Sequence, residues 1–206
     1  MRAALAILMM VAATLLSACT TTRGPDPALA ARIEFPKPKG WVVTTRQQWL
    51  SNPDWELSYT DYGVRQIKYS KVWYSYYYSK YPEPADFLNP DVTVMIADEK
   101  VANFMAADVY LDGIAQSLKK IVKEVEIIAP VRNTTISGLP AAETTVQSVI
   151  YLSSGRKQRF LTRFWAVRVE NQFVVIAADW PADGKLATEA EMMRIVNTIR
   201  ILPAAR

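Results

Sequence analysis

The sequence predicts an α+β sandwich, in which an antiparallel sheet packs against two main helices. Three observations predict it. Short β-type runs occupy the chain from Trp41 to Ile96, and one long segment of helical period, Asn103 to Val125, interrupts them. A meander of longer β-type runs follows, and a second, capped helix closes the chain. An amphipathic helix must bury its apolar stripe, and an antiparallel sheet offers a face on which to do so. With 206 residues, 50% of them hydrophobic and 21% charged, the chain can bury one sizeable core.

In order, "WVVTTR" (Trp41 to Arg46) and "WELSYTDY" (Trp55 to Tyr62) read as strands separated by the turn signal Asn52-Pro53. Val64 to Ser79 continues in the same style, and Val92 to Ile96 is a brief apolar strand. In the helical segment Phe104, Ala107, Leu111, Ile114, Leu118, Ile121 and Val125 recur at spacings of three and four, with Asn103 as N-cap. Gly113 weakens its middle by roughly 1 kcal/mol relative to alanine. Val131 to Ile136 then leads into the turn Ser137-Gly138-Leu139-Pro140, followed by runs from Ala142 to Tyr151, Gln158 to Val169 and Gln172 to Trp180. Ser153-Ser154-Gly155 joins the first two of these, and Glu170-Asn171 fits a two-residue hairpin loop. Thr188-Glu189-Ala190-Glu191 matches a capping box before the stripe Met192, Ile195, Val196, Ile199.

The N-terminus carries a different kind of information. Arg2 precedes an uncharged stretch from Ala3 to Leu16, the layout of a secretory signal peptide and too short for a comfortable membrane span. It ends in Leu16-Ser17-Ala18-Cys19, which resembles the lipobox of bacterial lipoproteins. The resemblance implies that residues 1–18 are cleaved and that Cys19, the only cysteine, receives a diacylglycerol and an acylated amino terminus. Two or more acyl chains give stable anchoring. In Gram-negative lipoproteins an Asp after the cysteine resembles an inner-membrane retention signal. Thr20 stands there instead, which implies the periplasmic face of the outer membrane. Residues 19–39, with prolines at 25, 27, 36 and 38, read as a spacer between anchor and domain, and residues 40–203 as one domain.

Composition narrows the chemistry. A net charge of +4 is too small over this length for a nucleic-acid partner. Histidine is absent, which removes the commonest general base, the commonest metal ligand and any Ser-His-Asp triad. No two of the seven glycines stand close enough for a phosphate-cradling loop. The expectation is a protein without metal, cofactor or catalytic residues. A serine–lysine hydrolase needs no histidine, and Ser117-Leu118-Lys119-Lys120 fits S-x-x-K, but its companion motifs S-D-N and K-T-G are missing. Asp108 and Asp112, four apart on the first helix, read as solvated surface.

The C-terminal half resembles the PsbP-like family, which includes small bacterial lipoproteins of the DcrB type. The matching features are the turn "I-x-G-L-P-A" at Ile136 to Ala141, the two long strands after it, and the closing "I-V-N-T-I-R" at Ile195 to Arg200. The resemblance implies an α/β/α sandwich around an antiparallel sheet and a non-catalytic accessory or binding role. Together with the lipobox, the spacer and the lack of catalytic motifs it leads to the expectation of a protein or cell-wall partner; a carrier of a small apolar ligand between sheet and helix is the alternative.

Two stretches are candidates for a binding surface. "KVWYSYYYSKY" (Lys71 to Tyr81) places Tyr74, Tyr76 and Tyr78 on one side of a strand and Trp73 and Tyr77 on the other. Such a run serves either as cross-strand packing or as an interface, because a tyrosine has one apolar and one wet end. On the strand Gln158 to Val169 one side carries Phe160, Phe164 and Ala166, and the other Lys157, Arg159, Leu161, Arg163 and Trp165. The second side reads as an ordinary sheet face or as a basic-aromatic patch for an anionic partner.

Overall fold

A computed structural model describes residues 27–43, 74–82, 87–97, 105–121, 124–151 and 156–203. Its elements are a short helix α1 (Pro27–Ala30), strands β1 (Ile33–Glu34), β2 (Val42–Val43), β3 (Tyr74–Ser79) and β4 (Asp91–Ile96), helix α2 (Ala107–Ile121), strands β5 (Val125–Ile136), β6 (Leu139–Tyr151), β7 (Lys157–Val169) and β8 (Gln172–Pro181), helix α3 (Glu189–Val196) and strand β9 (Arg200–Ile201). Seven strands form one sheet in the order β2-β3-β4-β8-β7-β6-β5, antiparallel at every pairing, and β1 pairs with β9 separately. The expected meander is β5 to β8. The chain reaches its outer edge from β4, in the middle of the sheet, by way of α2.

The sheet is covered on both faces. Helix α2 lies against β5, β6 and β7 and buries Ala107, Leu111, Ile114 and Leu118, four of the residues of the expected stripe, together with Tyr110 and Ala115. The Tyr110 ring stacks on Phe173 of β8 at 4.3 Å, and burial pushes its phenol pKa up. Helix α3 lies against β8 on the opposite face. There Met192, Ile195, Val196 and Ile199 join Val174, Ile176, Ala178 and Trp180 of β8 in one buried cluster. An α/β/α sandwich results.

Local signals set the turns. Ser137 and Gly138 both have positive φ (52° and 75°), the type I′ pattern whose twist matches a hairpin. The turn is tighter than expected, because Leu139 and Pro140 already belong to β6. The β7–β8 loop is the two-residue Glu170-Asn171, with Glu170 at φ 55°. Thr188 caps α3, its hydroxyl accepting from the Glu191 N–H at 3.2 Å. The Glu191 carboxylate goes to Lys80 at 2.8 Å, so only this half of the capping box is used for capping. Replacing Thr188 by alanine should cost about 1 kcal/mol. In a domain of this size that lowers the melting temperature by roughly 2–4 °C, readable by circular dichroism.

Two expectations are corrected. The first helix ends by Ile121, and Val125 opens β5 instead of closing the stripe. From Val125 to Ala129 the chain alternates between half-buried and exposed residues, a strand period. The spacer expected over residues 19–39 is also shorter. Leu29, Ile33 and Phe35 are 2–3% exposed and belong to the cluster under α3. From Pro27 onward this segment is therefore a strap of the domain. Phe104, the N-cap Asn103, the run Trp55 to Tyr62 and Ser153 to Gly155 lie outside the described residues, as do residues 1–26 with Cys19 and the lipobox.

Candidate binding surface

The strap explains the tyrosines. It passes over β3, where its one sheet pairing is that of β1 with β9, and the carbonyls turned toward β3 need other donors. Two tyrosines supply them. The Tyr76 hydroxyl donates to the Ile33 carbonyl at 2.7 Å, and the Tyr78 hydroxyl to the Phe35 carbonyl at 3.0 Å. The Phe35 ring sits between them, 5.8 Å from Tyr76 and 4.8 Å from Tyr78. Tyr78 is 7% exposed, and its pKa is raised by burial and by Tyr76. One side of the aromatic strand is thus a clamp for the strap. Tyr77 points to the other face and donates to Asp91 Oδ2 at 3.4 Å. Trp73 and the side chain of Tyr74 lie outside the described residues.

The basic-aromatic side of β7 is divided. Arg159 is exposed near the start of the strand. Arg163 lies under α3, with Nη2 on Glu189 at 2.6 Å and Nε on Thr145 Oγ1 at 3.0 Å. Trp165 is 3% exposed and donates to Glu143 at 2.9 Å. Trp165 and Tyr78 are therefore core side chains and offer no face to a partner. Arg163 is committed to α3, because a helix covers this half of the sheet and alternation alone does not say where a helix lands.

What the surface does present is a groove of about 360 Å³ between the strap and α3. Pro36, Pro38, Trp41 and Ile195 give it an apolar lining. The strap turns here: the Trp41 N–H bonds the Pro38 carbonyl at 3.1 Å, and Gly40 takes the positive φ of 81° that this turn requires. The turn buries Trp41 to 5% exposure. Lys37 and Lys39 from the strap and Arg194 from α3 stand on the rim, exposed and in no ion pair among the described residues. Glu191, the acid of the lining, is paired with Lys80. Among the described residues the groove therefore carries three positive charges in no ion pair around an apolar floor, which suits an anion with an apolar part.

A polar row lies on the opposite face of the sheet, under residues from four strands. Ser79, Asp91, Asp179 and Thr162 stand directly across from one another on β3, β4, β8 and β7, each at most 3% exposed. Thr162 donates to Asp179. Burial raises the pKa of Asp91 well above the carboxylate range, and the adjacent Asp179 raises it further. Asp179 rises to about 7, again through burial, with hydrogen bonds from Thr162 and Asp91 opposing the rise. Among the described residues Asp91 Oδ1 and Asp179 Oδ2 have no hydrogen-bond partner, as fits carboxyls that burial keeps protonated.

No family model matches the chain, and no curated protein matches it. Among solved structures, the crystal structure of LpqN, involved in cell envelope biogenesis of Mycobacterium tuberculosis, is similar at 13% identity and a TM-score of 0.45 over 83% of each chain. The Saccharomyces cerevisiae Ran-binding protein Mog1p is similar at 13% identity and 0.43, over 84% of this chain and 91% of its own. A mutant of the protein Mog1 gives 12% and 0.44 over 84% and 92%. Values of this size concern the arrangement of strands and helices alone.

The groove residues were not singled out by sequence reasoning. Their one local signal is the alternation Pro36-Lys37-Pro38-Lys39, which fixes φ at every second residue and leaves two lysines on a stiffened segment.

Proposed function

We propose that this chain is a lipid-anchored protein of the bacterial cell envelope whose PsbP-like sandwich binds a partner and performs no catalysis. One observation carries the anchoring: the apolar leader closes on Leu16-Ser17-Ala18-Cys19, and Cys19 is the chain's only thiol. Thr20 in place of Asp supports the periplasmic face of the outer membrane. Binding in preference to catalysis is supported by the use made of the polar side chains. The Tyr76 and Tyr78 hydroxyls hold the strap, Arg163 holds α3, and the cations at the groove are left facing outward. Ser117 is half-buried on α2 while Lys120, three residues on, is exposed.

Metabolic labelling with an alkyne-tagged palmitate tests the anchor. The full chain should take up label and sediment with membranes. Cys19→Ser should take up none and retain the leader, running larger by its mass. Label that persists in Cys19→Ser sinks the proposal. A fluorophosphonate probe that labels the protein and is lost in Ser117→Ala would replace the binding role with a hydrolytic one.

A further inference from the structure

We propose that the groove between the strap and α3 docks an anionic phospholipid headgroup of the membrane in which the chain is anchored. The inference rests on the lipoprotein reading and adds a second, non-covalent contact to it. Three observations converge on this occupant. The first is charge: among the described residues Lys37, Lys39 and Arg194 are cations in no ion pair, on two different elements, and the local acid Glu191 is neutralised by Lys80. A lysine ammonium and an arginine guanidinium both bind a phosphate oxyanion, the second in bidentate fashion.

The second observation is the lining. Proline rings, Trp41 and Ile195 provide apolar surface immediately below the cations. A free inorganic anion has no use for that surface, whereas the glycerol and first methylenes of a phospholipid do. The volume of about 360 Å³ accommodates a headgroup and not a folded partner.

The third is reach. Cys19 and Pro27 are eight residues apart, so the chain between them spans roughly 30 Å at most. The described strap begins at Pro27, and the groove follows within it. A site confined so close to a bilayer meets its headgroups at high effective concentration, so three charges suffice where a free protein would need more. Screening within about 8 Å at physiological salt makes the contact short-ranged and salt-sensitive.

The test uses the full lipidated chain reconstituted into vesicles of phosphatidylcholine, alone or mixed with phosphatidylglycerol. Cys19 is acylated and no other cysteine exists, so Thr198→Cys at the exposed groove rim accepts a single fluorophore. Quenching by a nitroxide-headgroup lipid then reads docking. Quenching should be strong with phosphatidylglycerol and weak without it. Each of Lys37→Gln, Lys39→Gln and Arg194→Gln should lower the docked-to-undocked ratio about fivefold, and all three together about a hundredfold. The substituted side chains are exposed, so the melting temperature serves as a folding control. Equal quenching in both kinds of vesicle, or no change in the triple variant, overturns the inference. So does a groove that ignores phosphatidylglycerol and instead takes a polyglutamate peptide. A chain that fails to co-sediment with either vesicle fails earlier, at the anchor, which keeps the two proposals apart.

Discussion

Raising the pH from about 5 to about 8 should lower the melting temperature of this protein by roughly 10 °C, and Asp179→Asn should lessen that dependence, leaving the part carried by buried Asp91. Asp179 sits fully buried beside Asp91, with its pKa raised to about 7. Asp91 is raised as well. In the unfolded chain both return to ordinary carboxylate values near 4. The native state therefore holds protons that the unfolded state releases. The stabilisation is complete below about pH 4, declines above it, and is lost as the pH passes through about 7. For Asp179 alone the rise amounts to roughly 4 kcal/mol in all, of which about 3 kcal/mol is lost between pH 5 and 8.

The window is unusually clean. With no histidine in the chain, no side chain of ordinary pKa titrates between pH 5 and 8. Asn at position 179 keeps an acceptor for the Thr162 hydroxyl and gives Asp91 an amide donor, so packing is retained while the titrating carboxyl is removed. Thermal melts of wild type and Asp179→Asn across this range settle the point. A flat wild-type profile would show that the pair is not proton-linked to folding, and the same slope in the variant that Asp179 is not the group that titrates. At about pH 8 the variant should melt at or above the wild type.

Phe35→Ala should destabilise the domain by about 3–5 kcal/mol, lowering the melting temperature by roughly 10 °C. The residue lies in a segment that reads as a linker, so an exposed position would give almost nothing. Its ring is instead 3% exposed and contacts both clamp tyrosines. The loss includes more than the ring's burial, because the carbonyls of Ile33 and Phe35 depend on the same docking. Phe35→Leu, which keeps apolar volume, should cost much less. A Phe35→Ala melt within about 2 °C of wild type would mean that the strap lies outside the cooperative core.

Features with local causes were legible in the sequence. The α3 cap at Thr188, the Glu170-Asn171 loop and the stripe Ala107, Leu111, Ile114, Leu118 each follow from residues within one or two turns of each other. Val125 was ambiguous because its spacing fits the helical stripe as well as the strand it begins. The strap was misread because its prolines carry a linker signal, while what fixes it is tertiary: hydroxyls from β3 that arrive from elsewhere in the chain. Trp165 shows the same limit. Its side of β7 followed from alternation, but the cover provided by α3 did not. The groove and the carboxyl pair join residues far apart in sequence, Lys37 with Arg194 and Asp91 with Asp179, and no local pattern announces either.

The pairing of β1 with β9 couples the first described strand to the last. Ile33 faces Ile201, and the Arg32 and Leu202 backbones bond at 2.9 Å. β1 has no partner until β9, far along the chain, has been made. Until β9 is made, the strap, its tyrosine clamp and the groove wall are consequently left without their closing element. All seven strands of the main sheet precede β9 in sequence, so that sheet can form while the strap is still open.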